Sequence, residues 1–288
     1  MRRPQEIGLE EKSMGIIVSL TSAFEGLASM QIMRTKNMVL VSNKFFNEVW
    51  NIYKLIRIDG MFGFGRKPNE NVIQKELFIL ITAPGGLSGD IDQRLIRLMR
   101  EKYSPEKNDV IVIGRHGMLQ LMQFKIPYKK FYNLPKKDNV NVEPLIAEVK
   151  QYKSTRVFYQ NYVSLTSQSV RSIDLQSVIE SKGKVAEQKD EDLITEATYI
   201  FEPTPYAVLA HMETSMLRLT LTHLIYDSRL AQTASRFRAM SAAKERAIGV
   251  QADLHTEYNK AKRAMVDQRL KEVIGGLKKI KAEKAASF

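Results

Sequence analysis

The stretch QADLHTEYNKAKRAMVDQRLKEVIGGLKKI, Gln251–Ile280, decides how this chain folds. Apolar residues recur along it at steps of three and four, the spacing of a helix that packs along one narrow seam. They are Leu254, Tyr258, Ala261 and Met265, then Leu270, Val273 or Ile274, Leu277 and Ile280. The sequence therefore predicts a coiled coil, with a local change of supercoil at the five-residue step from Met265 to Leu270.

The same helix extends back to Thr204-Pro205. Threonine as N-cap with proline at the first helical position is a strong start signal. No proline follows, and Gly249, Gly275 and Gly276 are the only glycines after it. About eighty residues at ~1.5 Å each give a helix of roughly 120 Å. A helix of that length needs a partner along most of its length.

A second long helix is predicted from about residue 13 to 58. Its apolar residues fall at three-to-four spacing: Leu20, Phe24, Leu27, Met30, Met38, Val41, Phe45, Val49, Ile52 and Ile56. The simplest arrangement pairs the two helices as an antiparallel coiled coil, with the C-terminal helix overhanging. Trp50, the only tryptophan, is expected to pack in the core near the join to a globular part.

The residues between the two helices predict a compact α/β unit. A strand at 77–82, a glycine turn, a helix at 90–102 and a strand at 110–114 form a crossover with parallel strands. Further expectations are a short strand at 131–134, a helix at 142–152, a hairpin from 156–164 and 169–178, a charged surface loop at 181–192 and a last strand at 194–201. The predicted fold class is α/β plus a long antiparallel coiled coil. Residues 1–60 and 204–288 form the shaft, and 61–203 form a central Rossmann-like α/β domain with a mixed sheet.

Composition limits the function classes. The chain has 288 residues, a net charge of +12 and no cysteine, which excludes disulfides, thiolate metal sites and a cysteine nucleophile. We expect no membrane-spanning segment and no export signal. The positive charge is spread, without an aromatic-studded basic sheet, and a basic coiled-coil face is more often solvated or in contact with protein. Nucleic acid is therefore a disfavoured partner.

The sequence offers little catalytic chemistry. The four histidines, His116, His211, His223 and His255, form no metal-binding spacing. Asp90 and Asp92 follow the glycine turn and are expected to cap the next helix rather than transfer protons. Gly85, Gly86 and Gly89 lack the spacing of a dinucleotide-binding loop, so a tight strand-to-helix turn is the favoured interpretation. We expect no catalytic residue and no metal site.

Three segments resemble the gamma subunit of F-type ATP synthases. SRFRAMSAAKERA (235–247) and EYNKAKRAMVDQRLKEVIGG (257–276) are similar to that family's C-terminal helix, including its Tyr-Asn-Lys element. YIFEPTPYAVL (199–209) is similar to its Glu-Pro-x-Pro segment, and ITAPGGLSGDID (81–92) to its glycine turn. The N-terminal helix departs most. There the family's basic segment corresponds to GLASMQIMRTKNM (26–38), and Met30 is the clearest match.

Two further departures concern partner contacts. The family's Asp-Arg in the glycine turn is Pro84-Gly85 here. Arg236 matches the family's arginine, but the family's Gln, Thr and Glu correspond to Arg263, Asp267 and Arg269.

The resemblance implies the central shaft of a rotary motor, inside a hexamer of α and β subunits that bind ATP, ADP and magnesium. This chain would bind no cofactor itself. Further partners would be an epsilon-type subunit and the c-subunit ring, at the cytoplasmic face of the membrane. The β-facing residues would be Met30, Arg34, Lys36, Arg236, Arg238, Met240, Lys244, Arg263, Asp267 and Arg269. A rotor foot, the part nearest the c-ring, would include Gly86, Leu87, Gly89, Tyr199, Glu202, Pro203 and Tyr206.

Two alternatives remain open from the sequence. The chain could be a gamma-like coiled-coil paralogue that serves another ATPase assembly, since its N-terminal helix departs from the family. It could also be a phosphate- or nucleotide-binding α/β module that uses Gly85, Gly86 and Gly89.

Overall fold

A computed structural model describes residues 2–55, 72–133, 140–175, 177, 200, 202 and 204–286. The predicted loop at 181–192 and nearly all of the predicted strand at 194–201 lie outside these residues. The chain divides into two compact units. Unit 1 comprises residues 1–26 and 240–288, and unit 2 comprises residues 27–239.

Ten helices and strands are assigned in the described residues. In chain order they are α1 (Pro4–Leu55), β1 (Ile73–Ile81), α2 (Ile91–Arg100), β2 (Asn108–Ile113), α3 (Arg115–Gln123), β3 (Lys130–Tyr132), α4 (Glu143–Val149), β4 (Tyr152–Tyr162), β5 (Gln168–Asp174) and α5 (Pro205–Ala286). Thr204 caps α5 as predicted, since its hydroxyl accepts the Ala207 N–H at 3.2 Å. Helix α3 was not predicted from the sequence.

Unit 2 contains a five-stranded mixed sheet in the order β3-β2-β1-β4-β5. Strands β1 to β4 are parallel, and β5 pairs antiparallel with β4. This confirms the predicted mixed sheet and the predicted hairpin. The expected helix at 142–152 is shorter than predicted, because Tyr152 already belongs to β4.

Helices cover both faces of the sheet. On one face, side chains of β1, β2 and β4 pack with Leu95, Met99 and Leu121 of α2 and α3. On the other face, the alternate side chains of the same strands pack with α4, α1 and α5. Trp50 is buried in this second core, as expected, beside Phe46 and the α5 residues Leu217 and Leu221. Both long helices therefore contribute to the core of the α/β domain.

The packed face of α1 differs from the predicted seam. The buried residues on α1 are Ile7, Ala28, Ile32, Thr35, Val39, Phe46 and Trp50, whereas Leu20, Phe24, Leu27, Met30, Val41 and Phe45 are exposed. The predicted seam was therefore wrong at those six positions. α1 carries two apolar stripes, and the packed one contains small residues, Ala28 and Thr35, that let another helix approach closely.

In unit 1, α1 and α5 run antiparallel. Glu11 pairs with His255 at 2.8 Å and Glu25 pairs with Lys244 at 3.0 Å, so residue numbers fall along α5 as they rise along α1. A Cβ at Gly8 would lie 3.3 Å from the Tyr258 ring, which shows how closely the two helices approach. Ala261 of the predicted C-terminal seam is buried, and Leu270, Val273 and Leu277 are exposed.

By length and composition alone, one helix among the described residues could cross a membrane. It is the stretch Pro4–Asn51, and 11% of its most apolar window is buried. The sequence had predicted no such segment. The ion pairs of Glu11 and Glu25 with α5 are those of a helix packed on another helix.

Candidate functional site

A buried chain of polar side chains links the carboxyl end of the sheet to α5. We call Asp92, Gln160, Ser228 and Gln232 the polar bridge; all four are at most 2% exposed. One Asp92 oxygen accepts the Gln160 amide N–H at 2.7 Å. The Gln160 carbonyl oxygen accepts the Ser228 hydroxyl and the Gln232 amide, the latter at 3.1 Å. The bridge thus runs from α2 through β4 to α5.

Asp92 also holds His116, which was not predicted as a site residue. Its second oxygen lies 2.6 Å from His116 Nδ1 and accepts the Ala83 N–H at 3.2 Å. The hydrogen bond to Asp92 raises the pKa of His116, against the effect of burial. Asp92 was expected to cap α2, and that prediction was wrong. From the first turn of α2, the Asp92 carboxylate instead points inward, where Ala83, His116 and Gln160 satisfy both of its buried oxygens.

The glycine turn, residues 84–89 after β1, is tied to α5. Ser235 Oγ donates to the Ser88 carbonyl at 2.7 Å, and the Arg236 guanidinium donates to Ser88 Oγ at 3.2 Å. Burial lowers the pKa of Arg236. The turn therefore presents Ser88 to a helix rather than to an open crevice.

Leu87, within this turn, has an unusual backbone and an exposed side chain. Its φ is +68°, a region that costs a bulky residue about 1 kcal/mol or more, and its side chain is 55% exposed. A strained backbone of this kind persists where the surrounding contacts impose it, and it is often found at functional sites. Leu87 is thus a strong candidate for a partner contact.

The residues predicted to face β subunits fall into two groups. Arg236, Met240 and Lys244 are engaged within the chain: Arg236 binds Ser88, Met240 is buried and Lys244 pairs with Glu25. The other seven are exposed: Met30, Arg34, Lys36, Arg238, Arg263, Asp267 and Arg269. Arg238 also donates to the Thr166 carbonyl in the β4–β5 turn at 2.9 Å.

The structure does not bring the predicted foot residues together. Gly86, Leu87 and Gly89 lie in the turn that contacts α5 at Ser235 and Arg236. Glu202 is exposed and Tyr206 is in the first turn of α5, whereas Tyr199 and Pro203 lie outside the described residues. About thirty residues of helix, or roughly 45 Å, separate that start from the contact with the turn. The two sets therefore lie at different positions along α5.

The buried carboxyl of Asp227, on α5, gives an electrostatic test of the contact between α5 and β4. It accepts the Tyr162 N–H at 3.3 Å, and burial raises its pKa from 3.8 to about 6. A carboxyl whose pKa is raised on folding lowers the free energy of unfolding when it ionises. Because the Asp227 pKa is 3.8 unfolded and about 6 folded, this loss of stability is absent below about pH 4 and complete above about pH 6. We expect Asp227→Asn to raise stability by up to ~2 kcal/mol near pH 8, after allowance for screening and the nearby Arg171, and to change it little at pH ~3.5. Thermal unfolding at both pH values checks this, and an equal effect at both would contradict it.

The Glu25–Lys244 pair gives a second test, in unit 1. Its atoms lie 3.0 Å apart with side chains 20% and 33% exposed, and the hydrogen bond from Lys244 lowers the pKa of Glu25. We expect a double-mutant cycle of Glu25→Gln and Lys244→Met to give a coupling of about 0.5–1 kcal/mol at neutral pH. Because the Glu25 pKa is lowered from 4.5, this coupling should be lost as the pH falls from 4.5 through that lowered pKa. A coupling that persists in acid would show that charge does not carry the contact.

No group of three or more His, Asp or Glu side chains in the described part of the chain could hold a metal ion. The Asp92 oxygens are occupied by donors of the fold itself.

Comparison with known proteins identifies the family. The profile of the ATP synthase family matches residues 5–280. A protein named ATP synthase gamma chain, from Clostridium novyi, is 24% identical over 276 residues, which cover 92% of this chain and 94% of the relative. The chain belongs to the ATP synthase gamma-chain family. Gamma chains are non-catalytic components of a membrane-associated complex.

Solved structures share the fold of this gamma-family chain. A chain of the Euglena gracilis mitochondrial ATP synthase, solved as an OSCP, F1 and c-ring assembly, matches with a TM-score of 0.56 at 15% identity, over 94% of this chain and 96% of that one. A chain of the Tetrahymena thermophila mitochondrial ATP synthase central stalk and c-ring matches with a TM-score of 0.54 at 15% identity, over 78% and 99%. The α/β domain with two long terminal helices is thus shared with rotor chains.

Proposed function

We propose that this chain is the central-stalk subunit of a rotary ATP synthase, which transmits rotation between a membrane c-ring and a hexamer of α and β subunits. The observation that carries this proposal is that the family profile spans residues 5–280, which include most of both long helices as well as the α/β domain. A match confined to the α/β domain would have given no support to the proposal that the two long helices form a shaft.

On this proposal α1 and α5 form an antiparallel coiled coil. Its support is the order of the α1–α5 contacts in unit 1 and, separately in unit 2, a buried cluster of Ile32 and Val39 with Leu230 and Ala234. The exposed apolar residues near the end of α5, such as Val273 and Leu277, need a cover from outside the chain. The inner surface of the hexamer would supply that cover.

The glycine turn belongs, on this proposal, with the surface that faces the α and β subunits rather than with the foot. Its support is that Ser88 contacts α5 at Ser235 and Arg236, one turn from the exposed Arg238. Leu87 and Arg238 would then meet a partner surface that is apolar and acidic. Glu202 and the start of α5 remain assigned to the foot, with the epsilon-type subunit and the c-ring.

The chemistry of ATP would take place in the β subunits, which bind the nucleotide and magnesium. This chain would act by rotation: each orientation favours a different conformation of each β subunit, so a turning shaft drives them through successive states. The complex would lie on the cytoplasmic face of the membrane, with this chain peripheral to it.

Affinity isolation from native membranes tests the proposal. With a tag inserted in the predicted 181–192 loop, we expect the chain to isolate together with α and β subunits in about threefold excess and with ATPase activity. Isolation without α and β subunits would refute the central-stalk function. Isolation with another ATPase would support the paralogue alternative, which the divergent 26–38 segment favours.

A further inference from the structure

We infer that the polar bridge sets the angular position of α5 against the sheet, so that its residues are positioning residues for torque transfer. This inference rests on the proposed central-stalk function. The inference concerns the step in which rotation of the α/β domain becomes rotation of α5. The sequence assigned no residue to that step.

The first argument is where the bridge lies. It joins α2, β4 and α5 at the carboxyl end of the sheet, and each member is almost fully buried. Farther along α5, the hydrogen bond from Ser235 to the Ser88 carbonyl is buried as well. Nearer the start of α5, the Arg218–Glu143 ion pair is exposed and the hydrogen bond from Lys150 to Thr214 is partly buried. The bridge is therefore a buried polar contact between α5 and the sheet, two parts that a rotating shaft must turn together.

The second argument is the kind of force each contact resists. The apolar core under α5 holds the helix on the sheet, but apolar contact is non-directional and tolerates small rotations. Hydrogen bonds weaken steeply when their angles change. Rotation of α5 about its axis would separate Ser228 and Gln232 from Gln160 and leave buried polar groups without partners, an outcome that folded proteins avoid.

The third argument is how the bridge is anchored. Gln160 is held from the far side by Asp92, and Asp92 is fixed by the Ala83 N–H and by His116. Gln160 is thus held by Asp92 on the side away from α5, which limits how far it can follow the helix if α5 turns. This is the arrangement that a torque-bearing contact requires.

The test separates transmission from stability. The variant Gln160→Met/Ser228→Ala/Gln232→Met replaces three of the four bridge residues by apolar groups of similar shape, which removes every bridge hydrogen bond to α5. Asp92 keeps its contacts with the Ala83 N–H and His116 but loses its donor from Gln160, so the stability of the variant is measured beside its coupling. Its readouts, in the complete complex reconstituted in liposomes, are ATP hydrolysis and the ATP-driven membrane potential reported by a voltage-sensitive dye. We expect hydrolysis within roughly twofold of the parent, and the ratio of potential generation to hydrolysis to fall by roughly threefold or more, since directional bonds are lost together.

A covalent rescue sharpens the test. Gly89 has φ +66°, where a side chain is strained, and a Cβ there would lie 3.9 Å from Ala239 Cβ, close to the usual separation in a disulfide. The strain is the same in the oxidised and the reduced variant, so the difference between the two isolates the cross-link, and the chain has no other cysteine. Gly89→Cys/Ala239→Cys in the bridge variant should restore the ratio when oxidised and lose it again on reduction. A merely structural role for the bridge would give no redox-dependent recovery of coupling.

Lys150→Met is the matched control, because it removes a partly buried hydrogen bond to α5 at Thr214, outside the bridge. It should leave the ratio unchanged. A bridge variant that assembles with an unchanged ratio overturns the inference. If the triple variant fails to assemble, the single variant Ser228→Ala decides in the same assay, and an unchanged ratio again overturns it. Failure of the parent chain to assemble with α and β subunits would instead refute the proposed function.

Discussion

Replacing Gly114 with alanine will unfold the α/β domain. Gly114 has φ +99° and follows β2, and a Cβ there would lie 2.1 Å from the Thr82 carbonyl oxygen. Thr82 cannot move aside, because its N–H and its hydroxyl both donate to the Ile113 carbonyl, at 2.7 and 2.8 Å. Backbone strain and a clash with fixed backbone act together, so we expect a loss of ~4 kcal/mol or more.

Denaturant unfolding of the purified chain measures this loss. Gly85→Ala is the matched control, since a Cβ at Gly85 would meet nothing within 4 Å. We expect the control to change stability by about 0.5 kcal/mol or less. Comparable losses in the two variants would show that the close approach of Gly114 to Thr82 does not govern the stability of the domain.

Replacing Phe46 with alanine will loosen α1 from the α/β domain. Phe46 is 6% exposed, its ring stacks on His223 of α5 with centroids 5.4 Å apart, and its edge contacts Trp50 at 5.6 Å. Removal of a buried aromatic ring leaves a cavity as well as losing transfer free energy, so we expect a loss of about 3–4 kcal/mol.

Trp50, the only tryptophan, reports this change directly by its fluorescence. Its emission should shift to the red in Phe46→Ala and unfold at lower denaturant. The neighbouring Phe45→Ala removes the same ring from a side chain that is 55% exposed, and should cost about 0.5 kcal/mol or less in the isolated chain. Equal costs at 45 and 46 would contradict the assignment of the packed face of α1.

The sequence predicted the helices and most strands because their signals are local. Thr204-Pro205 marks the start of α5 by capping chemistry alone. The apolar runs of β1 and β2, joined by a glycine turn and a helix, are sufficient to predict a pair of parallel strands. Helix α3 was missed because its nine residues, RHGMLQLMQ, follow β2 directly and show little periodicity.

The candidate site was harder to predict because its contacts are distant in sequence. Asp92, Gln160 and Ser228 are separated by 68 residues at each step, so no spacing rule links them. Their residue types did not mark them either, since isolated glutamine and serine side chains usually lie at the surface. The contact of the glycine turn with α5 was not predicted for the same reason, since Ser88 and Ser235 are 147 residues apart in the sequence.

The antiparallel contacts of unit 1 constrain how this chain can change during evolution. Gly8 faces Tyr258, Glu11 pairs with His255 and Gly15 faces Gln251, so each step forward on α1 is matched by an equal step back on α5. A residue inserted in one helix would rotate every later side chain by about 100° and misalign all the contacts beyond it. Lengths in these two segments should therefore vary together among relatives, with gaps of equal size at facing positions.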